Sequence, residues 1–208
     1  MNYNDLGFRP LYHSFAALEM SDNLIPLIKD FPSEDETTGL LVYGYIDHEA
    51  GFTFEVLAAG RIEENGSLTS PIEENTDIRA FIRVEEVADN ELHSLEDSAE
   101  MISAIYENKI KMIESYNVSE EIEETRAMEF LDDYRHPAYI DDIYVCFFKK
   151  SLKAEGCWVR IEGMGEHEII GVLLNEPDQD FGYHIGDTVA FNMMETEDGR
   201  VIPYVAVE

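Results

Sequence analysis

The residues best suited to chemistry gather in one stretch, GVLLNEPDQDFGYHIGDTVAF at 171–191. It carries Asn175, Glu176, Asp178, Asp180, Tyr183 and His184 between two apolar runs, and Trp158 stands in the apolar run before it. Alternating carboxylates supply the oxygen ligands that a hard cation needs. An EF-hand loop, however, requires Asp-x-Asp/Asn-x-Asp/Asn-Gly closed by a distal Glu, and that pattern is absent, so no calcium site is expected. Glu166, His167, Glu168 and His184 are the candidate zinc ligands. Neighbours along a strand point to opposite faces, so His167 shares no face with Glu166 or Glu168. Neither H-x-E-x-H nor H-E-x-x-H occurs, and no metal is expected. Nucleophilic chemistry lacks a Gly-x-Ser-x-Gly elbow. Cys157 precedes Trp158 in an apolar run, which protects a thiol more than it activates one. Gly163-Met164-Gly165 is too short to cradle a phosphate. His13, His48, His93 and His136 are scattered. No catalytic residue and no cofactor is expected, and a non-enzyme is the favoured expectation.

Two readings of the 171–191 stretch remain. Asn175-Glu176-Pro177 is a strand stop, since Asn tolerates turns and Pro cannot donate to a ladder. Gly186-Asp187 is a strand start, because Gly permits positive φ and Asp187 can bond its own backbone two residues on. The plainer reading is that both motifs position a loop on a small barrel. The functional reading is that Asn175, Glu176, Asp178, Asp180, Tyr183 and His184, with Trp158, line a binding edge, because rigid scaffolds often carry binding residues on loops.

These residues need elements to hold them. IYVCFFKK (143–150), CWVRIEG (157–163), HEIIGVLLN (167–175), TVAFNMME (188–195) and RVIPYVAVE (200–208) read as short strands, with Asp198-Gly199 as a tight hairpin between the last two. Short strands so spaced predict a compact antiparallel sheet or small barrel. Pro203 marks the last strand as an edge, open to pairing with a second copy. Upstream, 14–30 reads as one or two short helices, with Ser21 or Asp22 as a cap and Pro26 in the first turn. FPSEDETTG at 31–39 is a loop. LLVYGYI (40–46) and FTFEVLAAGRI (52–62) flank a hairpin turn, and Asn65-Gly66 is a second turn signal. IRAFIRVEE (78–86) alternates as a strand, with Phe81 breaking its polar face. From Leu95 to Tyr116, Ala99, Ile102, Ile105, Tyr106, Met112 and Ile113 recur at helical spacing. Ser94 with Asp97 resembles a capping box, and Asn117 is a C-cap. Ser119 opens another helix whose segment to 133 holds seven acids and one base, so one face is wet. Pro137 ends it. The fold class is α+β: an antiparallel meander plus helices in 1–135, then a small antiparallel β sheet or barrel in 140–208.

At 208 residues and 45% hydrophobic the chain can bury roughly 70% of its unfolded surface without metal or disulfide. The 45 acids against 14 bases give −31. Acids exceed bases both in 1–135 and in 136–208, so this is no terminal tail. Such a field repels phosphate, and Lys149, Lys150 and Lys153 form only a thin basic cluster, so nucleic acid and anionic membrane are not expected partners. A basic protein, or solubility alone, fits the sign. No apolar run approaches the roughly 20 residues of a membrane span. Two cysteines, no secretory leader and no disulfide pattern together predict a cytoplasmic protein.

CWVRIEG, IIGVLLNEP and YHIGDTVAF together resemble a family of small bacterial β domains of unknown function, the YegJ-like group. The matching residues are Trp158, Gly171, Leu173, Asn175, Pro177, Gly186, Asp187, Val189 and Phe191. The group's Asp-Trp pair is replaced here by Asn192-Met193-Met194-Glu195. The resemblance covers about 140–208. Relatives of the group are regarded as immunity partners of bacterial toxins, so the resemblance implies a non-enzymatic protein-binding module in a bacterial protein. The alternative expectation is a small-ligand binder or enzyme with a pocket between the two parts near Trp158, Tyr183 and His184.

Overall fold

The computed structural model describes residues 1–29, 37–69, 78–196 and 199–207. Most of the loop expected at 31–39, and Asp198 of the expected hairpin, lie outside them. The chain is α+β and forms two compact units, Met1–Asn117 and Val118–Glu208.

The first unit is a curled sheet. Strands β1 (Phe15–Glu19), β2 (Gly39–Asp47), β3 (Gly51–Ile62), β4 (Leu68–Thr69), β5 (Ala80–Arg83) and β6 (Leu92–Ser94) run in the order β4-β3-β2-β1-β6, with β5 also on β3. β2 and β3 are buried almost throughout, because both of their faces are covered and the usual in-out alternation vanishes. Tyr3, on the short helix α1 (Tyr3–Leu6), packs on Phe52 with ring centroids 5.3 Å apart. Ile102, Tyr106 and Ile113 join Phe15, Leu41 and Tyr43 in a second cluster.

The hairpin turn after Asp47 forms as expected. The Asp47 carboxylate accepts from the Glu49 and Ala50 N–H groups, each at 3.2 Å. Asn65-Gly66 turns as expected too, with Gly66 at φ 80. The described residues of 14–30 form no helix. Phe15–Glu19 is a strand between β2 and β6, and two tight turns close on the Ser21 and Leu24 carbonyls. Ala, Leu, Glu and Met are good helix formers, but that preference is worth under about 1 kcal/mol per residue, and pairing on both edges overrides it. The expected 95–116 helix is broken. A 3-10 turn at Glu96–Ser98 precedes α2 (Ala99–Ile105) and α3 (Glu107–Ile113), and Tyr106 leaves helical geometry between them at φ −106, ψ 23. Ser94 accepts only from Glu96 N, at 3.4 Å, so the expected capping box is not made. Asn117 closes the last turn as expected. Lys109 lies on the buried stripe of α3 and is fully buried. Its Nζ donates to the Val56 carbonyl at 3.3 Å, beside the irregularity in β2–β3 pairing.

The second unit is a closed barrel of β7 (Asp142–Lys149), β8 (Glu155–Met164), β9 (Ile169–Leu173), β10 (Thr188–Glu195) and β11 (Val201–Val207). Each strand pairs antiparallel with the next. In an odd-numbered meander the first and last strands run the same way, so the closing pair must be parallel. Tyr204–Val207 of β11 indeed pairs parallel with Cys146–Lys149 of β7. β11 is therefore not the expected edge strand. Pro203 is tolerated because the β7 pairing begins only at Tyr204. Val145, Phe147, Val159, Leu173, Val189 and Phe191 are fully buried in the barrel core.

Helix α4 (Glu120–Ala127) and the following 3-10 turn (Glu129–Tyr134) belong to this unit, so the units divide upstream of the expected 1–135 and 140–208 parts. Leu131 enters the barrel core, fully buried. Arg126 makes a bidentate pair with Asp141 at 2.9 and 2.7 Å, with both side chains buried. Arg135 donates to the Ile140 and Thr125 carbonyls. Ser119 caps α4 as expected, accepting from Ile122 N at 3.4 Å. Among the described residues no helix is long and apolar enough to cross a membrane.

Candidate functional site

The 174–187 loop satisfies most of its own polar groups. Gly186, at φ 88, lets the chain turn so that its N–H reaches the Leu173 carbonyl at 2.8 Å. Asp187 accepts from His184 N at 2.7 Å and returns its own N–H to the His184 carbonyl at 2.9 Å. Glu176 uses both oxygens. One lies 2.7 Å from His184 Nδ1 and the other accepts from Ile185 N at 2.9 Å. These bonds hold the Glu176 carboxyl below its ordinary range, and the carboxylate in turn raises His184.

The other acids are dispersed. Asp180 accepts from Gly182 N at 3.1 Å, within its own turn. Asp178 gives its N–H to Glu155 at 2.5 Å, and Glu155 also accepts from Gln179. Those bonds, the Asp178 one foremost, lower the Glu155 carboxyl. Phe181 is buried in the barrel core, and Tyr183 packs inward with it, each ring 5.8 Å from Phe147. Among the described residues no group of three His, Cys, Asp or Glu side chains is placed to hold a metal. His167 and Glu166 approach only to 3.9 Å, both exposed. Burial pushes both free thiols, Cys146 and Cys157, upward and so away from the reactive thiolate.

Of the seven expected site residues, the structure brings together Glu176 with His184, and Asn175 with Trp158. The Asn175 side-chain Oδ1 accepts from Trp158 N at 2.7 Å. Tyr183 faces the core instead, and Asp178 and Asp180 lie on separate turns of the loop.

Trp158 leads to a feature that sequence reasoning missed. It faces outward on β8, directly across from Tyr144 on β7. Their ring centroids are 5.1 Å apart, and His136 stands 5.3 Å from Trp158 on its other contact. Tyr139 packs on His136 at 5.0 Å. Tyr144 is 46% exposed. Gly156 makes room for this row, since a Cβ there would stand 2.2 Å from the Tyr144 ring. Below the row, Arg160 pairs with Asp142 at 2.7 and 3.0 Å. The signal was present in IYVCFF: Tyr144 occupies a position that period-2 alternation sends to solvent, where an aromatic ring is not required for packing.

The barrel thus presents an outward aromatic row of Tyr144, Trp158, His136 and Tyr139, with the acidic 175–180 segment starting beside Trp158. No family model, curated protein or solved structure matches the chain.

Proposed function

We propose that the second unit is a non-enzymatic protein-binding module, immunity-like in its logic, that takes a basic segment of a partner protein on its aromatic row. The observation that carries this is the outward row of Tyr144 and Trp158 in a chain of net charge −31. Trp, Tyr and Arg dominate binding energy where they are clustered. A cation over an aromatic face gains about 0.5–2 kcal/mol, more as water is excluded. Asn175 holds the Trp158 backbone, so the ring is positioned before a partner arrives. Glu176 and Asp178 are exposed beside it and complement Lys or Arg at the rim.

The test uses affinity capture by the full chain from lysate, at about 50 mM and about 500 mM salt, followed by titration of the purified partner. Trp158 is the single tryptophan, so its fluorescence reports the surface directly. A basic partner should bind at low salt, change that fluorescence, and lose about tenfold or more in affinity to Trp158→Ala with Tyr144→Ala. Glu176→Gln, Asp178→Asn and Asp180→Asn combined should weaken it at low salt. Binding unchanged by both sets would sink the assignment.

A further inference from the structure

The turn His136-Pro137-Ala138-Tyr139 supplies two rings of the aromatic row, and its hydrogen bonds fix where one of them carries its proton. His136 N donates to the Asp142 carbonyl at 2.8 Å, and Asp142 N donates to the Tyr139 carbonyl at 2.9 Å. Pro137 has no N–H to place. The two N–H groups left in the turn, of Ala138 and Tyr139, both donate to His136 Nδ1, each at 3.2 Å. A nitrogen that accepts two N–H bonds carries a lone pair and no proton. Neutral imidazole has one N–H, so that proton sits on Nε2.

A second proton has only Nδ1 to go to. There it would set a ring N–H against two backbone N–H groups, and both bonds would break. Ala138 is buried, and stranding its N–H is costly, so the turn opens instead. The imidazole is half-buried, so protons reach it. The same ring stands 5.3 Å from Trp158 and 5.0 Å from Tyr139, so an open turn withdraws two members of the row. An imidazolium beside Trp158 also competes for the attraction that the indole offers a cation, and repels an arriving Lys or Arg.

The charged groups on the elements packed about this ring are paired. On β7 the Asp142 carboxylate is held by Arg160 of β8. Arg135, next in the chain, donates to Asp132 and to the Ile140 and Thr125 carbonyls. Tyr139 on the turn and Tyr144 on β7 are the phenols of the row. Across Trp158 lies the Glu176–His184 pair, joined to it through Asn175.

We propose that His136 is a pH-sensitive positioning residue. Neutral, its Nδ1 closes the 136–139 turn and completes the row; protonated, it opens the turn, and the row loses its hold on a basic partner. The loss of hold rests on the binding role proposed for the row, whereas the tautomer and the turn do not.

The free full-length chain therefore serves for the first test. Long-range proton–nitrogen NMR at about pH 8 should show His136 Nδ1 bare and Nε2 protonated. On lowering the pH to about 5, the Ala138 and Tyr139 amide signals should move with the His136 ring, and so should the emission of Trp158, the single indole. His136→Asn keeps a side-chain acceptor for the turn and removes the titrating ring, so the Trp158 transition should vanish. His184→Gln should leave it in place. An Nδ1-protonated tautomer at about pH 8, amides that stay still, or a Trp158 transition that survives His136→Asn would each overturn the proposal. With the captured partner, affinity for the native chain should fall by about tenfold or more over the same range, and that for His136→Asn should not. A chain that switches in isolation but binds no basic partner at either pH would instead remove the binding role of the row.

Discussion

Tyr45 is 2% exposed, and its hydroxyl is buried with no hydrogen-bond partner among the described residues. Burial first, and then the nearby Glu55 carboxylate, push it far up, so it remains a neutral hydroxyl. Glu55 itself is spoken for, held bidentately by Arg79 at 2.9 and 2.8 Å. A buried donor left unmade costs about 1–3 kcal/mol, and removing it recovers part of that. Tyr45→Phe should therefore raise stability, by about 1 kcal/mol, in urea denaturation. A loss of stability would show that the hydroxyl has a partner. The Glu176–His184 pair makes a second prediction, in pH. His184 is raised above its ordinary 6.5, so its contribution is full below that value and fades as pH rises through the folded-state pKa. Glu176 is lowered below 4.5, so its contribution is full above that value and fades as pH falls through its folded-state pKa. The pair is thus fully formed between about 4.5 and 6.5. Glu176→Gln should lower the His184 midpoint in an NMR titration. An unmoved midpoint would mean the 2.7 Å contact does not persist in solution.

Among the elements, α4 is tied to the second unit through the buried Arg126–Asp141 pair. Removing one partner of a buried ion pair strands the other charge and costs about 3–5 kcal/mol. Arg126→Ala should destabilise the barrel by that order, read as an earlier unfolding midpoint in Trp158 fluorescence. A midpoint within about 0.5 kcal/mol of native would mean α4 does not brace the barrel. This bracing was illegible in the sequence, where the acidic 119–133 segment read as a wet helix upstream of a boundary. One Arg among seven acids gives no sign that it points inward to a carboxylate fifteen positions later. All five barrel strands were legible, because each is a short apolar run with its own turn signals. Their closure was not: the partner of β11 is the first strand of the unit, and Pro203 argued locally for an edge. Residues 14–30 failed for the opposite reason, since a weak local helix preference lost to pairing with β2 and β6, neither visible from the segment itself. The candidate site divides the same way. Asn175 and Trp158 were legible as motif residues, and their contact is real, but Tyr144 and His136 join Trp158 only through cross-strand register and a chain reversal at Pro137.

For the whole molecule, the charge of −31 admits two roles, solubility and steering, and these separate in kinetics. Steering acts on encounter: a long-range field raises the association rate of a basic partner and is screened beyond about 10 Å at about 0.1 M salt. The aromatic row acts after encounter, because its contacts are short-ranged and must break before the partner leaves. If the acidic field guides a partner to Trp158, the association rate should fall steeply between about 10 mM and about 500 mM salt while the dissociation rate changes little. Trp158→Ala should do the reverse, speeding dissociation while leaving the salt slope of association intact. Stopped-flow fluorescence gives the salt dependence from Trp158 itself, and a partner-borne label gives it for the variant. An association rate indifferent to salt would leave the acids as a solubilising coat. The row would then have to recruit its partner by contact alone, at the rate of about 10⁵–10⁷ M⁻¹s⁻¹ expected of an unsteered pair.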